Sequence, residues 1–227
     1  MKLLLFDIDM TLVSTGGAGI RALDRAFDAV FGLADALEGV RPHGKTDPAI
    51  IREACANHGV EDGPATRQRI LGYYLRFLET EVGESETYRV LPGVLDLLGY
   101  LRAPDVVLGL ATGNVEAGAR IKLARGRLNP HFLFGGFGSD SEDRSEVVRT
   151  AARRGQAWRG QPIAPHETWV IGDTPMDIEA GRAAGFNTIA VATGTYGADE
   201  LDEAGADCVI PDFLTGRDQF LRSTGIE

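Results

Sequence analysis

Two pairs of aspartates lie where the chain could hold charge for catalysis. Asp7 and Asp9 follow the first apolar run of the sequence, and Asp173 and Asp177 follow a later one. Because side chains alternate along an extended chain, Asp7 and Asp9 are expected on the same side of it. A single aspartate in such a place is commonly a turn or cap residue. Two pairs at two predicted strand ends instead indicate one acidic site.

The two pairs would meet if their strands are neighbours in a sheet. Ligands of open α/β sheets bind outside the carboxyl ends of the strands, where these aspartates lie. Four carboxylates in one cleft repel each other and need a cation. Ligands that are all oxygen atoms favour Mg²⁺. The sequence therefore predicts a Mg²⁺ site formed by Asp7, Asp9, Asp173 and Asp177.

A candidate anion site follows another apolar run. That run ends in Thr112, Gly113 and Asn114, just before a predicted helix. A hydroxyl and free backbone N–H groups at a helix N-terminus suit an anion, although a plain Thr or Asn cap would look the same. Lys122 lies farther along that helix. Charged helix residues usually lie on a solvated face, but this lysine could reach back to an anion held at Thr112.

The order of apolar runs and helical patterns predicts the fold that must position these residues. Runs without polar alternation are typical of strands covered on both faces. They occur at 2–8, 106–111, 168–172, 188–192 and 208–210. Helical patterns between them occur at 94–101, 115–125, 146–154 and 175–184. This alternation predicts an α/β fold with a doubly wound parallel sheet.

A long helical segment interrupts the alternation. Between the first strand and residue 106 the sequence shows no second strand, and its apolar residues recur at three- or four-residue spacing instead. A structureless loop of that length is improbable in a compact domain. We therefore predict a helical cap domain at 16–85, joined by a glycine-rich hinge at 16–19, and a core domain formed by 1–15 and 86–227.

The composition excludes several classes of protein. The 227 residues carry a net charge of −10, which disfavours binding to nucleic acid or to an anionic membrane. No apolar stretch approaches the roughly 20 residues of a membrane helix. Cys55 and Cys208 form no CxxC motif and suit a reducing compartment. We expect a cytoplasmic protein, monomer or homodimer, that binds neither nucleic acid nor membrane.

The motifs, taken in order, resemble those of the haloacid dehalogenase superfamily. They are DIDMT at 7–11, LATGN at 110–114, a basic residue, and GDTPMD at 172–177. The helical segment resembles the family's alpha-helical cap, as in phosphoglycolate phosphatases and β-phosphoglucomutases. The resemblance implies a Mg²⁺-dependent phosphatase that acts on a small phosphorylated metabolite, with 2-phosphoglycolate as the first candidate.

The resemblance also implies a role for each position. Asp7 would be the nucleophile that forms an aspartyl-phosphate. Asp9 would protonate the leaving oxygen and then activate water. The segment 112–114 would hold the phosphoryl oxygens. Mg²⁺ would lie between the Asp7 carboxylate, the Asp9 carbonyl and Asp173. Asp177 would support either the metal or the basic residue.

The third motif departs from the commonest pattern of the family. Many relatives carry a Lys-Pro pair shortly before the last motif, and the corresponding stretch 138–145 has neither residue. In other members the basic residue comes from the helix after the second motif. Lys122 is therefore the first choice and Arg144 the reserve. If Lys122 is the basic residue, Lys122→Ala should lower the reaction rate more than Arg144→Ala.

A second phosphate-binding pattern, GVRPHGKT at 39–46, matches a P-loop letter for letter. A P-loop needs a strand before it and a helix that starts at its lysine. Here a helical region precedes it, and Pro48 fits poorly inside such a helix. The segment is better interpreted as a cap loop. Its Lys45 either contacts the distal group of the substrate or is a solvated loop residue.

Other functions are compatible with parts of the pattern. Glycosyltransferases use a DxD motif, but this leaves Asp173 and Asp177 unexplained. A hydrolytic dehalogenase lacks an acid at the position of Asp9. A phosphosugar mutase of the β-phosphoglucomutase type would share all four motifs and stays an alternative. A non-catalytic binding protein with this fold would be expected to have lost Asp7, Asp9 or Asp173, and all three are present.

Overall fold

The computed structural model describes residues 1–226. Its strands are β1 (Lys2–Phe6), β2 (Val13–Ser14), β3 (Arg89–Val90), β4 (Val106–Ala111), β5 (Gly135–Gly136), β6 (Thr168–Gly172), β7 (Asn187–Val191) and β8 (Cys208–Ile210). Its α-helices are α1 (Ala18–Phe31), α2 (Asp47–Asn57), α3 (Pro64–Glu84), α4 (Val94–Tyr100), α5 (Glu116–Arg125), α6 (Arg144–Arg159), α7 (Pro175–Ala183), α8 (Ala198–Glu203) and α9 (Arg217–Thr224).

The main sheet has six parallel strands in the order β5-β4-β1-β6-β7-β8. From β1 the chain first builds the β4 side of the sheet and then returns to build the β6 side. A crevice therefore opens at the carboxyl end of β1, which is where such sheets bind ligands. This arrangement confirms the predicted doubly wound α/β core, and β1 and β6 are direct neighbours as the acidic site requires.

Both faces of β1 are buried, which explains its unbroken apolar sequence. Leu3 and Leu5 pack with residues of α6 and α7 on one face. Leu4 and Phe6 pack on the other face, with residues of α4, α5 and α9. The helices on the two faces hold the strand ends rigidly.

Helices α1, α2 and α3 form a layer with its own apolar core. Their buried residues, including Phe27, Ile51 and Tyr74, make a separate cluster, which Val115 joins from the core side. The helical patterns predicted in this segment are confirmed, although the exact domain limits at 16–85 stay a prediction. No helix in the described part of the chain combines the length and apolarity needed to cross a membrane.

The prediction that no strand lies between β1 and residue 106 is wrong. β2 and β3 form a short antiparallel ribbon that pairs Val13 with Val90 and Ser14 with Arg89. The ribbon joins the two ends of the helical segment, and Gly16 and Gly17 follow it with positive φ angles of 63° and 79°. Two-residue strands give no readable periodicity. The same reason explains why β5, a pair of glycines, was not predicted.

The core below the crevice contains a group of aromatic rings around Phe6. This residue is fully buried, and its ring centroid lies 5.8 Å from that of Phe132 and 6.2 Å from that of Phe213. Because Phe6 directly precedes Asp7, its packing fixes the end of β1.

We expect Phe6→Ala to lower the free energy of unfolding by about 3–5 kcal/mol, because it leaves a cavity among the rings. Urea denaturation measures the change. Leu133 is 64% exposed, so the control Leu133→Ala should stay within about 0.5 kcal/mol of the parent. A loss below about 1 kcal/mol for Phe6→Ala would contradict this account of the core.

Candidate active site

Three buried carboxylates meet at the crevice. Asp7 follows β1, Asp173 follows β6, and Asp177 lies in the first turn of α7. Oxygen atoms of all three carboxylates lie within 4.8 Å of one another. Thr174 caps α7, and its side chain and backbone N–H both donate to Asp177 Oδ2. The cap explains why the chain turns here and brings Asp177 back towards Asp7.

Burial makes it costly to keep two of these carboxylates, those of Asp7 and Asp173, ionised. The pKa of Asp7 is raised to about 6, mainly by desolvation, with Arg144 opposing the rise and Asp177 adding to it. Burial together with Asp177 and Asp7 raises the pKa of Asp173 to about 9. Thr11 donates a hydrogen bond of 3.1 Å to Asp173, which offsets only part of this effect. Oxygen ligands that repel each other in this way are a suitable donor set for a hard divalent cation.

The fourth predicted carboxylate, that of Asp9, does not join this cluster. Lys122 Nζ lies 2.6 Å from Asp9 Oδ2, and the Asn114 side chain donates to the same oxygen at 2.8 Å. The prediction that four carboxylates gather is therefore wrong. Strand β1 ends at Phe6, so the alternation of an extended strand does not have to continue through Asp7 and Asp9.

Two buried cations neutralise different aspartates. Arg144, at the start of α6, has its guanidinium 3.0 Å from Asp7 Oδ1 and hydrogen-bonds Asp177. Lys122 pairs with Asp9 instead. Burial by itself would lower the pKa of Lys122, but Asp9 and Asp47 raise it above its ordinary value. The reserve residue Arg144, rather than Lys122, therefore contacts Asp7.

The candidate anion loop lies next to Asp7. Thr112 is fully buried, and its hydroxyl accepts hydrogen bonds from the backbone and side chain of Asn114. A hydrogen bond from Thr112 also lowers the pKa of Asp7. Gly113 must lack a side chain, because a Cβ there would lie 2.2 Å from the carbonyl oxygen of Lys45.

The loop 39–46 of the helical layer docks on this anion loop. The backbone N–H of Asp47 donates to Gly113 O at 2.7 Å, and Val115 N–H donates to Asp47 Oδ2 at 2.8 Å. The preceding element is α1 rather than a strand, so the P-loop context is missing. Lys45 lines the cavity, but its ammonium is hydrogen-bonded to Glu53.

A cavity of about 220 Å³ lies between the crevice and the helical layer. All the predicted site residues except Asp177 line it, and so do Arg144, Asp47 and Tyr74. Sequence reasoning missed the last two. Tyr74 fits the apolar spacing of α3, so only the tertiary structure shows that its hydroxyl reaches the cavity. In the sequence, Asp47 followed by Pro48 indicates only an ordinary start of a helix.

The sequence and the fold are similar to those of known enzymes. A family model described as haloacid dehalogenase-like hydrolase matches residues 4–191. A phosphoglycolate phosphatase from Pseudomonas savastanoi pv. phaseolicola is 27% identical over 216 residues, which cover 93% of this chain and 76% of that protein.

Solved structures share the fold over nearly the whole chain. A hydrolase from Pseudomonas syringae superposes with a TM-score of 0.76 at 22% identity, covering 98% of this chain and 99% of the other. CbbY from Rhodobacter sphaeroides, solved in complex with phosphate, gives a TM-score of 0.74 at 19% identity and covers 95% and 96%. With the family match, these similarities confirm the predicted enzyme class: the chain belongs to the haloacid dehalogenase-like hydrolase family.

Proposed function

We propose that the protein is a Mg²⁺-dependent phosphatase that hydrolyses a small phosphorylated metabolite through a covalent intermediate on Asp7. The observation that carries this proposal is the environment of the Asp7 carboxylate. It lies at the floor of the cavity, with Arg144 at 3.0 Å and the anion loop beside it. Positive charge next to a buried nucleophile suits phosphoryl transfer, in which charge on the phosphoryl oxygens must be balanced.

The reaction takes two steps. In the first, an Asp7 oxygen attacks phosphorus, the ester P–O bond breaks, and Asp9 gives its proton to the leaving oxygen. In the second, Asp9 takes a proton from water, the water oxygen attacks phosphorus, and the Asp7–phosphorus bond breaks. Inorganic phosphate leaves and both carboxylates are restored. Thr112 and the backbone N–H groups of 113–114 hold the phosphoryl oxygens throughout.

The carboxylates of Asp7, Asp173 and Asp177 fit Mg²⁺ by donor type and spacing, and the family resemblance adds the Asp9 carbonyl. Bound there, Mg²⁺ supplies positive charge that balances the phosphoryl oxygens and the aspartates. Arg144 orients Asp7 and Asp177. Lys122 orients Asp9, with Asn114 as the second donor to the same oxygen.

The substrate of the named relative makes 2-phosphoglycolate a candidate. The cavity of about 220 Å³ suits a small ester of this size. Phosphate release from a panel of metabolite phosphates, with Mg²⁺ and with EDTA, tests the proposed reaction.

Metal binding should depend on pH. The raised pKa values of Asp7 (about 6) and Asp173 (about 9) mean that the folded protein binds protons there that the unfolded chain releases near 3.8. These groups therefore favour folding at low pH, and this contribution is lost as pH rises from about 4 to 6 for Asp7 and to 9 for Asp173. Mg²⁺ competes with these protons.

We therefore expect saturating Mg²⁺ to raise Tm by roughly 4–8 °C at about pH 8.5, and by much less at about pH 5. Thermal denaturation with Mg²⁺ and with EDTA measures the difference. Asp173→Asn should lose most of the increase at about pH 8.5. An equal increase at both pH values, or in the variant, would argue against this ligand set.

Asp7→Asn should abolish turnover, with a loss of at least roughly a thousandfold, because an amide oxygen is a poor nucleophile. Circular dichroism should show an unchanged fold. Asp218, whose side chain is 74% exposed, provides the control Asp218→Asn with full activity. Activity above a trace in purified Asp7→Asn would remove Asp7 from its proposed role.

Arg144 and Lys122 should differ in how their loss depends on the leaving group. Arg144→Ala should lower kcat roughly a hundredfold for every ester, because it contacts the nucleophile. Lys122→Ala disturbs the proposed acid, Asp9. Lys122→Ala should therefore lower kcat far more for alkyl phosphates, whose alkoxide leaving group needs a proton, than for p-nitrophenyl phosphate. Equal losses on both kinds of ester for both variants would contradict this division.

A further inference from the structure

A polar corner of the cavity contains two groups, Tyr74 and Asp47, that have no task in the proposed phosphoryl chemistry, beside Lys122, which does. It is formed by Tyr74 of α3, Lys122 of α5 and Asp47 at the start of α2, below Gly19 of α1. A Cβ placed on Gly19 would lie 3.4 Å from Lys122 Nζ and 3.9 Å from the Tyr74 hydroxyl. The two polar groups therefore face the same space.

The Tyr74 hydroxyl faces the cavity without a hydrogen bond to another described residue. The residue as a whole is 1% exposed, but its hydroxyl borders the open cavity and is not one of the fully buried atoms without a partner; no hydrogen bond from it to another residue is found within residues 1–226. Burial, Asp47 and Asp9 raise the pKa of this phenol well above its ordinary value, so it stays protonated and can donate. A ligand that fills the cavity must offer this hydroxyl a partner, because displacing solvent without replacing its hydrogen bond costs free energy.

The neighbouring groups also have bonding capacity left. Lys122 carries three N–H donors, and its bond to Asp9 Oδ2 uses one of them. Asp47 accepts from Val115 through Oδ2, which leaves its other oxygen as an acceptor. The corner therefore offers donors and an acceptor side by side, which is the pattern that an alcohol group satisfies.

A carboxylate would fit this corner poorly. In the described chain the three Lys and Arg side chains that line the cavity are each paired with an acid: Lys45 with Glu53, Lys122 with Asp9, and Arg144 with Asp7 and Asp177. His43, the remaining basic side chain at the cavity, is exposed. Asp47 adds a further negative charge. Burying a second anion next to it without a free cation is costly.

We propose that Tyr74, Lys122 and Asp47 bind a hydroxyl group of the leaving alcohol, so that the enzyme selects phosphate esters of polyols or sugars over carboxylate-bearing esters such as 2-phosphoglycolate. The inference rests on the proposed phosphatase function and names the substrate class for that same site.

Two esters of matched size test the selection. Ethylene glycol monophosphate and 2-phosphoglycolate differ in carrying a hydroxymethyl group or a carboxylate. The ratio of their kcat/KM values should favour the hydroxyl ester at least roughly tenfold. Hydrolysis of p-nitrophenyl phosphate, lost in Asp7→Asn, establishes the phosphatase independently. If that activity is present but 2-phosphoglycolate is the equal or better substrate, the selection is overturned and the phosphatase stands.

Variants of the corner test the residues themselves. Tyr74→Phe removes a hydroxyl that bonds nothing in the protein, so the fold should keep its stability while the ratio falls roughly tenfold. Gly19→Ala places a methyl group in the corner at ordinary contact distances and should also lower the ratio. Gly118→Ala is the control. Its methyl group would lie 3.6 Å from a Tyr74 ring carbon, and Gly118 does not line the cavity. An unchanged ratio in Tyr74→Phe would remove Tyr74 from the subsite.

A binding measurement keeps the inference testable if no ester is hydrolysed. Calorimetric titration of Asp7→Asn in Mg²⁺ should give a lower Kd for ethylene glycol monophosphate than for 2-phosphoglycolate. Tighter binding of 2-phosphoglycolate, or binding of neither ester, would overturn the proposed subsite. Binding in the expected order without hydrolysis would uphold the subsite while removing the phosphatase function.

Discussion

Repulsion among three buried carboxylates is the constraint on which the rest of the structure depends. Carboxylate oxygens of Asp7, Asp173 and Asp177 are held within 4.8 Å of one another, although burial favours the neutral forms of Asp7 and Asp173. Only a rigid support can keep such groups together. Strand β1 supplies it, because helices cover both of its faces and β4 and β6 pair with both of its edges. The packing of the sheet therefore holds the three carboxylates close enough together for a cation to bind between them.

The two basic residues divide the charge of the site between its two chemical tasks. Arg144 lies against Asp7 and Asp177, on the side where the phosphoryl group would be bound. Lys122 lies against Asp9, on the side where a leaving group would accept a proton. One cation shared by all four aspartates would couple the nucleophile to the acid. In the proposed reaction, separate cations would keep the nucleophile Asp7 and the acid Asp9 from sharing one partner.

The sequence could predict whatever depends on local periodicity or on a motif. Five of the six strands of the main sheet, the helices α1 to α7 and the placement of Asp7, Thr112 and Asp173 at adjacent strand ends follow from such signals, whereas α8 and α9 were not predicted. The position of the Asp9 carboxylate does not follow from the sequence, because it depends on the path of the chain after β1 ends. The contact between Arg144 and Asp7 depends on how the start of α6 packs against β1, which a linear pattern does not encode. The Tyr74 hydroxyl is hidden for a similar reason, since its ring satisfies the apolar spacing of α3.

The hydrogen bonds between Asp47 and segment 113–115 have a mechanical consequence. The helical layer cannot lift from the sheet without breaking both bonds, so opening of the cavity and loosening of the anion loop are one event. Loop 39–47 is therefore constrained by its bonds to the core, and it is a poor place to insert new sequence. Helices α1 and α3 line the cavity without making these two bonds. Engineering of this scaffold towards other esters should start on those two helices.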